Sequence, residues 1–319
     1  MTQTAGVTRF RAYQLGSAGS SFSYFAGGHF TLIEARLTEQ SRPSLVLEMK
    51  ACGVASADLL HITSWDTDHC SASELPALLA LARPLKVELP GYAPVSDTAK
   101  EAGKIIAAYI AEGRHDNRTK TAIQVSPDYI SGLEHASRLA FKNTYYNPLI
   151  IDPNCANNNS TVKHFRRGSF NVLSLGDVES SIISARLRRD MILSRETDIM
   201  ILAHHGADNG FTTKKFLHHI EPSLAICSAD YSNQYDHPRQ EIRDLLHDQG
   251  IRLMTTKTGD VIVQSTGDHT GTYQAINLKA GSTEVSSRCS FVARKKKLLT
   301  YNADTLRNIY AGKPAYRRL

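Results

Sequence analysis

The sequence of 319 residues contains only five cysteines, Cys52, Cys70, Cys155, Cys227 and Cys289, and no C-x-x-C pair. An odd number at wide spacing excludes a disulfide framework and a thiolate zinc site, and it fits a reducing compartment. Long apolar runs are also missing. The best candidate, Leu75 to Leu85, is about half of the roughly 20 residues that a membrane span needs, and Pro76, Arg83 and Pro84 interrupt it. The first residues lack the charged-then-apolar-then-small order of a secretory leader, so the expectation is a cytoplasmic protein without a membrane span. The glycosylation-like triplets at Asn117, Asn158 and Asn159 are then chance matches.

Excess charge is scarce over most of the chain. There are 37 Lys+Arg against 31 Asp+Glu, a formal +6, with 41 % hydrophobic and 21 % charged residues. This excludes disordered and collagen-like classes. The positive charge is unevenly spread: between Arg288 and Leu319 nine bases face a single acid, Asp304, so the remainder is slightly acidic. Arg294, Lys295, Lys296 and Lys297, with Tyr301, Tyr310 and Tyr316 nearby, supply charge for phosphates and rings for stacking. A solvated chain end has the same composition.

Short strand-like runs open the chain at Arg9–Leu15, Phe22–Phe25, Phe30–Ala35, Leu45–Met49 and Leu59–Thr63. Ser73 reads as the cap of a helix stopped by Pro84, and Thr98-x-x-Glu101 as the capping box of a second helix reaching Ala111. Residues 116–169 carry no clear period. Strands are expected at Asn171–Leu175, Asp198–Ala203 and Leu224–Ser228. Helices are expected near Ser181–Leu193, Thr213–Ile220 and Pro238–His247, followed by a closing hairpin of Arg252–Thr256 and Asp260–Gln264. Mixed strands and helices define an α/β or α+β class.

Four polar clusters carry the chemistry: Ser64-Trp65-Asp66-Thr67-Asp68-His69, Gly176-Asp177, His204-His205-Gly206 and Asp236-His237-Pro238. All but the last follow an apolar strand, where a rigid element positions a side chain and the loop exposes it. Each alone is compatible with an ordinary turn or helix cap. Together, Asp and His in this proportion suit a divalent ion of borderline softness, zinc or manganese, rather than magnesium.

The order of these clusters resembles the metallo-β-lactamase fold, and most closely the hydrolase domain of ComEC-type competence DNA-uptake proteins. Ile62–His69 is similar to that family's T-H-x-D-x-D-H motif, with Ser64 in place of the leading histidine. Ser169–Glu179 is similar to its L-T-G-D-x-E segment, and Asp198–Val263 to its H-H-G-S…N-x-Y-x-H-P…G-x-I segment. Gly16–Ser21 and Leu32-Ile33-Glu34 weakly resemble its opening elements, with Glu34 where aspartate is frequent.

The resemblance implies a four-layer αββα sandwich over residues 1–270, and the charge distribution adds a basic C-terminal extension over 271–319. It implies a metal-dependent phosphodiesterase or nuclease holding one or two Zn or Mn ions, with nucleic acid, DNA first, as partner. The implied metal ligands are Asp66, Asp68, His69, Asp177 and His205. Asp68, His204 and His237 are the expected catalytic residues, and the basic run independently makes Arg294, Lys295, Lys296 and Lys297 the expected nucleic-acid contacts. Ser64 removes a nitrogen ligand, so the position of Asp68, His69, Asp177 and one of His204 or His205 should be the stronger, and that of Asp66 with Asp177 the weaker. Cys70, beside His69, is either a further ligand or a small packing residue. Hydrolysis of a small phosphodiester or ester, and a degenerate binding protein without turnover, are the competing readings.

Overall fold

The computed structural model describes residues 7–113, 119–133, 142–266 and 271–295. Two sheets face each other. In chain order the first holds β1 (Arg9–Ala12), β2 (Phe22–Ala26), β3 (His29–Ile33), β4 (Leu59–His61), β5 (Lys86–Leu89) and β6 (Thr121–Gln124). The second holds β7 (Thr144–Asn147), β8 (Val162–Phe165), β9 (Val172–Ser174), β10 (Ile199–Ile201), β11 (Leu224–Cys227) and β12 (Arg252–Thr255). The chain then returns to the first sheet with β13 (Val261–Ser265), β14 (Thr272–Leu278) and β15 (Val285–Val292). The strand orders are β15-β14-β13-β1-β2-β3-β4-β5-β6 and β12-β11-β10-β9-β8-β7. β3 to β6 run parallel, as do β9 to β12.

Three apolar cores separate the four layers. Leu45, Met49, Leu78, Leu79, Ala102 and Ile106, all from helices, pack on Phe30, Leu32, Leu60 and Val87 of the first sheet. On the far side, Leu187, Leu193, Phe216, Leu217, Ile242 and Leu246 cover Leu173, Met200 and Ala225. Between the sheets lie Phe10, Phe22, Tyr24 and Val263 against Phe165, Val172, Ile199, Ile201, Leu224 and Ile226. Alternate residues of β10 and β11 therefore enter different cores. That explains why the I-M-I-L-A run after Asp198 is apolar throughout instead of alternating with polar residues. The mixed α/β architecture, with sheets flanked by helices, is the expected one.

Several local expectations need correction. Leu45–Met49 is not a strand but part of a helix, Arg42–Ala51. Pro43 sits in its first turn, where a missing N–H costs nothing, and Leu45 and Met49 face the core while Val46 and Leu47 face solvent. The cap expected at Thr98 is displaced: Ser96, not Thr98, accepts from the Ala99 N–H. The helix expected over Ser181–Leu193 is two, Ser181–Leu187 and Met191–Glu196, because Asp190 caps a new start through the N–H groups of Ile192 and Leu193.

The closing hairpin is absent. β12 pairs with β11 and β13 with β1, so the two runs lie in different sheets. Gly259 makes the crossing at φ +147°, where a Cβ would stand 2.0 Å from the Leu278 carbonyl oxygen. The division expected between residues 270 and 271 falls inside the first sheet, since β14 pairs with β13 and β15 with β14 along their lengths. No helix among the described residues is long and apolar enough to cross a membrane.

Candidate metal centre

The carboxyl ends of the parallel strands converge on one point. Beyond β3 comes Glu34, beyond β4 the loop to His69, beyond β9 Asp177, and beyond β10 the histidine pair. Asp68, His69, Asp177 and His205 each offer one ligand atom, and these atoms lie within 4.8 Å of one another. A cavity of about 10 Å³ adjoins His69, Asp177 and His205, which is room for one water or ion.

The backbone fixes the loop that carries Asp68 and His69. The His69 and Cys70 N–H groups both donate to the Asp66 carbonyl, at 2.9 and 2.7 Å, and Ala35 N–H donates to His69 O at 2.7 Å. Ser20 N–H donates to Asp68 O. This approach requires Gly19, at φ +128°, because a Cβ there would lie 2.5 Å from Asp68 O and 2.1 Å from Arg36 Nη1. Arg36 braces the same loop, donating to Ala18 O and, through two nitrogens, to Glu74.

Each imidazole is held from its Nδ1 side, leaving Nε2 for the centre. His69 Nδ1 lies 3.2 Å from Glu34 Oε1. Glu34 also accepts from Thr63 N–H and Thr63 Oγ, at 3.0 and 2.6 Å. His205 Nδ1 donates to the Ser228 carbonyl at 2.9 Å, and its Nε2 is 3.1 Å from Asp68 Oδ2. His69 Nε2 stands 2.9 Å from Asp177 Oδ2, yet it is buried without a hydrogen-bond partner. Two imidazoles with their other nitrogens engaged, two carboxylates and an orphaned buried nitrogen fit a divalent metal ion.

The electrostatics agree. Burial alone would lower the His69 pKa, but Asp177, Glu34 and Asp68 hold it well above the ordinary imidazole value. His205 is raised against its burial by Asp177 and Asp68. Burial opposes ionisation of Asp68 and Asp177, yet the two histidines hold both below the usual carboxylate range. The group thus has a strong local demand for positive charge, which a bound cation meets as well as protons do.

The other expected residues are placed as follows. Asp66 is outside the group of four; its Oδ2 accepts from Ser64 Oγ at 2.8 Å, and Ser64 also contacts the Tyr92 hydroxyl at 3.0 Å. Trp65 donates its N–H and indole N–H to Tyr92, so this corner is closed by protein contacts. His204 turns outward to Glu179, 3.3 Å from its Nδ1. Both His204 and His205 adopt left-handed backbone, φ +47° and +53°, which splays the two adjacent rings apart. The His237 ring lies near-parallel to that of His205 at 6.2 Å, and Tyr235 stacks on it at 5.5 Å. Burial, with His205 and His204 beside it, lowers the His237 pKa to about 4. Cys70 is fully buried, its thiol pushed up to about 12 by burial and Glu34, and it is not in the group of four. It packs in the helix-covered core instead.

Of the expected nucleic-acid contacts, Arg294 and Lys295 are turned into the body. Arg294 N–H donates to Asp198, its guanidinium to Ser194 O and Glu221 O, and Lys295 Nζ to the Arg166 and Gly168 carbonyls. Lys296 and Lys297 lie outside the described residues. Glu34 and the Ser228 carbonyl were not legible as site groups. A strand ending in Leu-Ile-Glu is the only trace of the first, and a backbone carbonyl leaves none.

No family model matches the chain. It is 24 % identical over 232 residues to ComE operon protein 3 of Bacillus subtilis, a match covering 72 % of this chain and 27 % of that protein. A shorter match, 32 % over 60 residues, is to competence protein ComA of Neisseria gonorrhoeae, 8 % of its length. The chain therefore spans about a quarter or less of the curated relatives it matches. Solved structures similar to it include the metallo-β-lactamase fold protein YhfI of Bacillus subtilis. There the TM-score is 0.42 and the identity 14 %, covering 79 % of this chain and 98 % of that one. They also include the metallo hydrolase Igni18 of Ignicoccus hospitalis, with TM-score 0.44 and 13 % identity, covering 80 % and 98 %.

Proposed function

We propose that the chain is a metal-dependent hydrolase acting on phosphodiesters, with nucleic acid, DNA first, as its substrate. The observation that carries the reading is the convergence of Asp68, His69, Asp177 and His205, with both imidazoles held at Nδ1 by Glu34 and the Ser228 carbonyl. These four residues would hold one divalent ion. Ser64 bonds to both Asp66 and Tyr92, which favours a single tightly held ion over two.

A divalent ion in such a place supplies Lewis acidity toward a phosphoryl oxygen and makes hydroxide available near neutral pH. The protein supplies the rest. Glu34 and Ser228 fix the tautomers and ring planes, so little reorganises as charge develops. His204 and His237, whose rings are 6.0 Å apart, flank the group of four and are the side chains assigned to substrate. The likeness to competence proteins supports DNA over a small phosphodiester, as does the basic composition beyond residue 295.

The deciding experiment combines metal analysis of the purified chain with cleavage assays on DNA and on a small aryl phosphodiester, in Zn²⁺ and Mn²⁺. Cleavage of DNA that is lost in Asp177→Ala, with the fold intact, is the expected result. Turnover of the small ester alone would reject the DNA assignment. A chain that takes up no ion and cleaves neither would reject the hydrolase.

A further inference from the structure

We infer that a second site, at the opposite end of the same strands from the metal centre, binds a small phosphate monoester carried on a planar ring, a nucleoside monophosphate in kind. The inference stands apart from the hydrolase reading. It rests on a pocket of about 410 Å³ between the sheets, within the size range of small-molecule sites. Its walls include His29 at the start of β3, Leu59 at the start of β4 and Lys86 at the start of β5, whereas the metal centre sits beyond the other ends of β3 and β4.

Charge defines the ligand. Lys86, Lys142, Lys163 and Arg167 line the pocket against Asp58 and Glu88, so positive charge is in excess by two. Glu88 is already saturated. Lys163 Nζ at 2.5 Å, Tyr145 hydroxyl at 2.6 Å, His61 Nδ1 at 2.9 Å and Lys86 Nζ at 3.2 Å all surround its carboxylate. Lys163 and Glu88 are almost wholly buried, side chains 1 % and 2 % exposed, and so form a fixed floor rather than a mobile pair. Lys142 and Arg167, by contrast, are exposed at the rim and have no ion-pair partner among the described residues. Two unpaired cations, one of them a forked guanidinium, are the complement of a doubly charged phosphate.

Shape adds the ring. Tyr129 and Tyr145 both line the pocket and meet edge to face, centroids 5.7 Å apart at 83°. Tyr145 is held by its bond to Glu88, with Lys163 Nζ 4.7 Å from its ring centroid, and Tyr129, packed edge to face on it, is the ring against which a flat heterocycle can rest.

The test is calorimetric titration of the full chain with adenosine 5′-monophosphate, and in parallel with ribose 5-phosphate. Saturable binding of the nucleotide is expected, with ribose 5-phosphate weaker because it lacks the ring. The double variant Lys142→Gln/Arg167→Gln, whose side chains are at the surface, should bind the nucleotide about tenfold more weakly or worse. Asp68→Ala, which removes a metal-centre carboxylate, should bind it unchanged. Absence of saturable binding to the parent chain would overturn the proposal, as would equal affinity in the double variant. Loss of binding in Asp68→Ala would place the nucleotide at the metal centre, and ribose 5-phosphate binding as tightly as the nucleotide would remove the ring from the argument; either result rejects the site as described.

Discussion

Glu34 Oε1 lies 3.2 Å from His69 Nδ1, and both side chains are buried, 2 % exposed each. The carboxylate reaches this place from a residue at φ +69°, a left-handed conformation unusual outside glycine. A strained residue that aims a carboxylate at the back of a proposed metal ligand is a device for setting ring orientation and basicity.

Glu34→Gln keeps the shape and removes that charge. Its affinity for Zn²⁺, measured by competition with a chromophoric chelator, should fall about tenfold to a hundredfold. Unchanged affinity would show that Thr63 and packing alone orient His69.

The two aspartates of the first cluster should separate cleanly. Asp68→Ala should lose the tightly held ion in metal analysis, whereas Asp66→Ala should keep it, because Asp66 is bonded to Ser64 and lies outside the group of four. Equal loss in both variants would mean that Asp66 swings inward when an ion binds.

A buried ion pair ties the second sheet to its helices. Arg166 Nε and Nη2 donate to the two Glu196 carboxylate oxygens at 2.7 and 2.8 Å, and both side chains are wholly buried. Arg166→Met leaves the Glu196 charge without its main counterion and should cost about 3–5 kcal/mol in denaturant unfolding. Adding Glu196→Leu should recover much of the loss. A double variant no more stable than the single would argue that the pair is needed for its hydrogen bonds to neighbours.

Asp198 gives stability a pH dependence. Burial raises its pKa to about 7, outweighing the Arg294 and Asn171 N–H groups that bond to it. Between the unfolded carboxylate value, about 4, and that raised value, the folded state keeps a proton that the unfolded chain has released. Stability from this group is therefore full below about pH 4 and is lost as pH rises toward 7. Asp198→Asn should flatten the profile across that window in unfolding titrations; profiles that stay parallel would contradict the assignment.

Much of the site was legible because its residue types are chemically specific and sit at strand ends. Asp68, His69, Asp177 and His205 were each visible as an acid or imidazole following an apolar run, and the structure brings these four together. Asp66 is assigned to a weaker position through the resemblance of its motif, and it lies outside the group of four, where its side chain accepts from Ser64. Arg294 and Lys295 looked like free basic residues, since a run of cations does not reveal buried carbonyls waiting for them. The mixed α/β class was readable from the residue pattern and the layer order followed from the resemblance, but sheet membership was not legible. Arg252–Thr256 and Asp260–Gln264 have hairpin spacing, and only Gly259 hints that the chain changes sheets between them. β7 and β8 escaped for another reason: their residues include Tyr145, Asn147 and Lys163, whose polarity is explained by Glu88 and Arg186, partners far along the chain.

The position of β1 has a consequence for how the molecule forms. It lies inside the nine-stranded sheet, flanked by β2 and by β13, and the Thr8 N–H bonds to Ser265, 257 residues away. The strand near the start of the chain thus waits through almost the whole second sheet before its other edge is covered. Until then that edge offers open N–H and C=O groups to any strand that arrives first. Such long-range closure slows folding, and it makes the return of β13 the step at which the first sheet escapes aggregation.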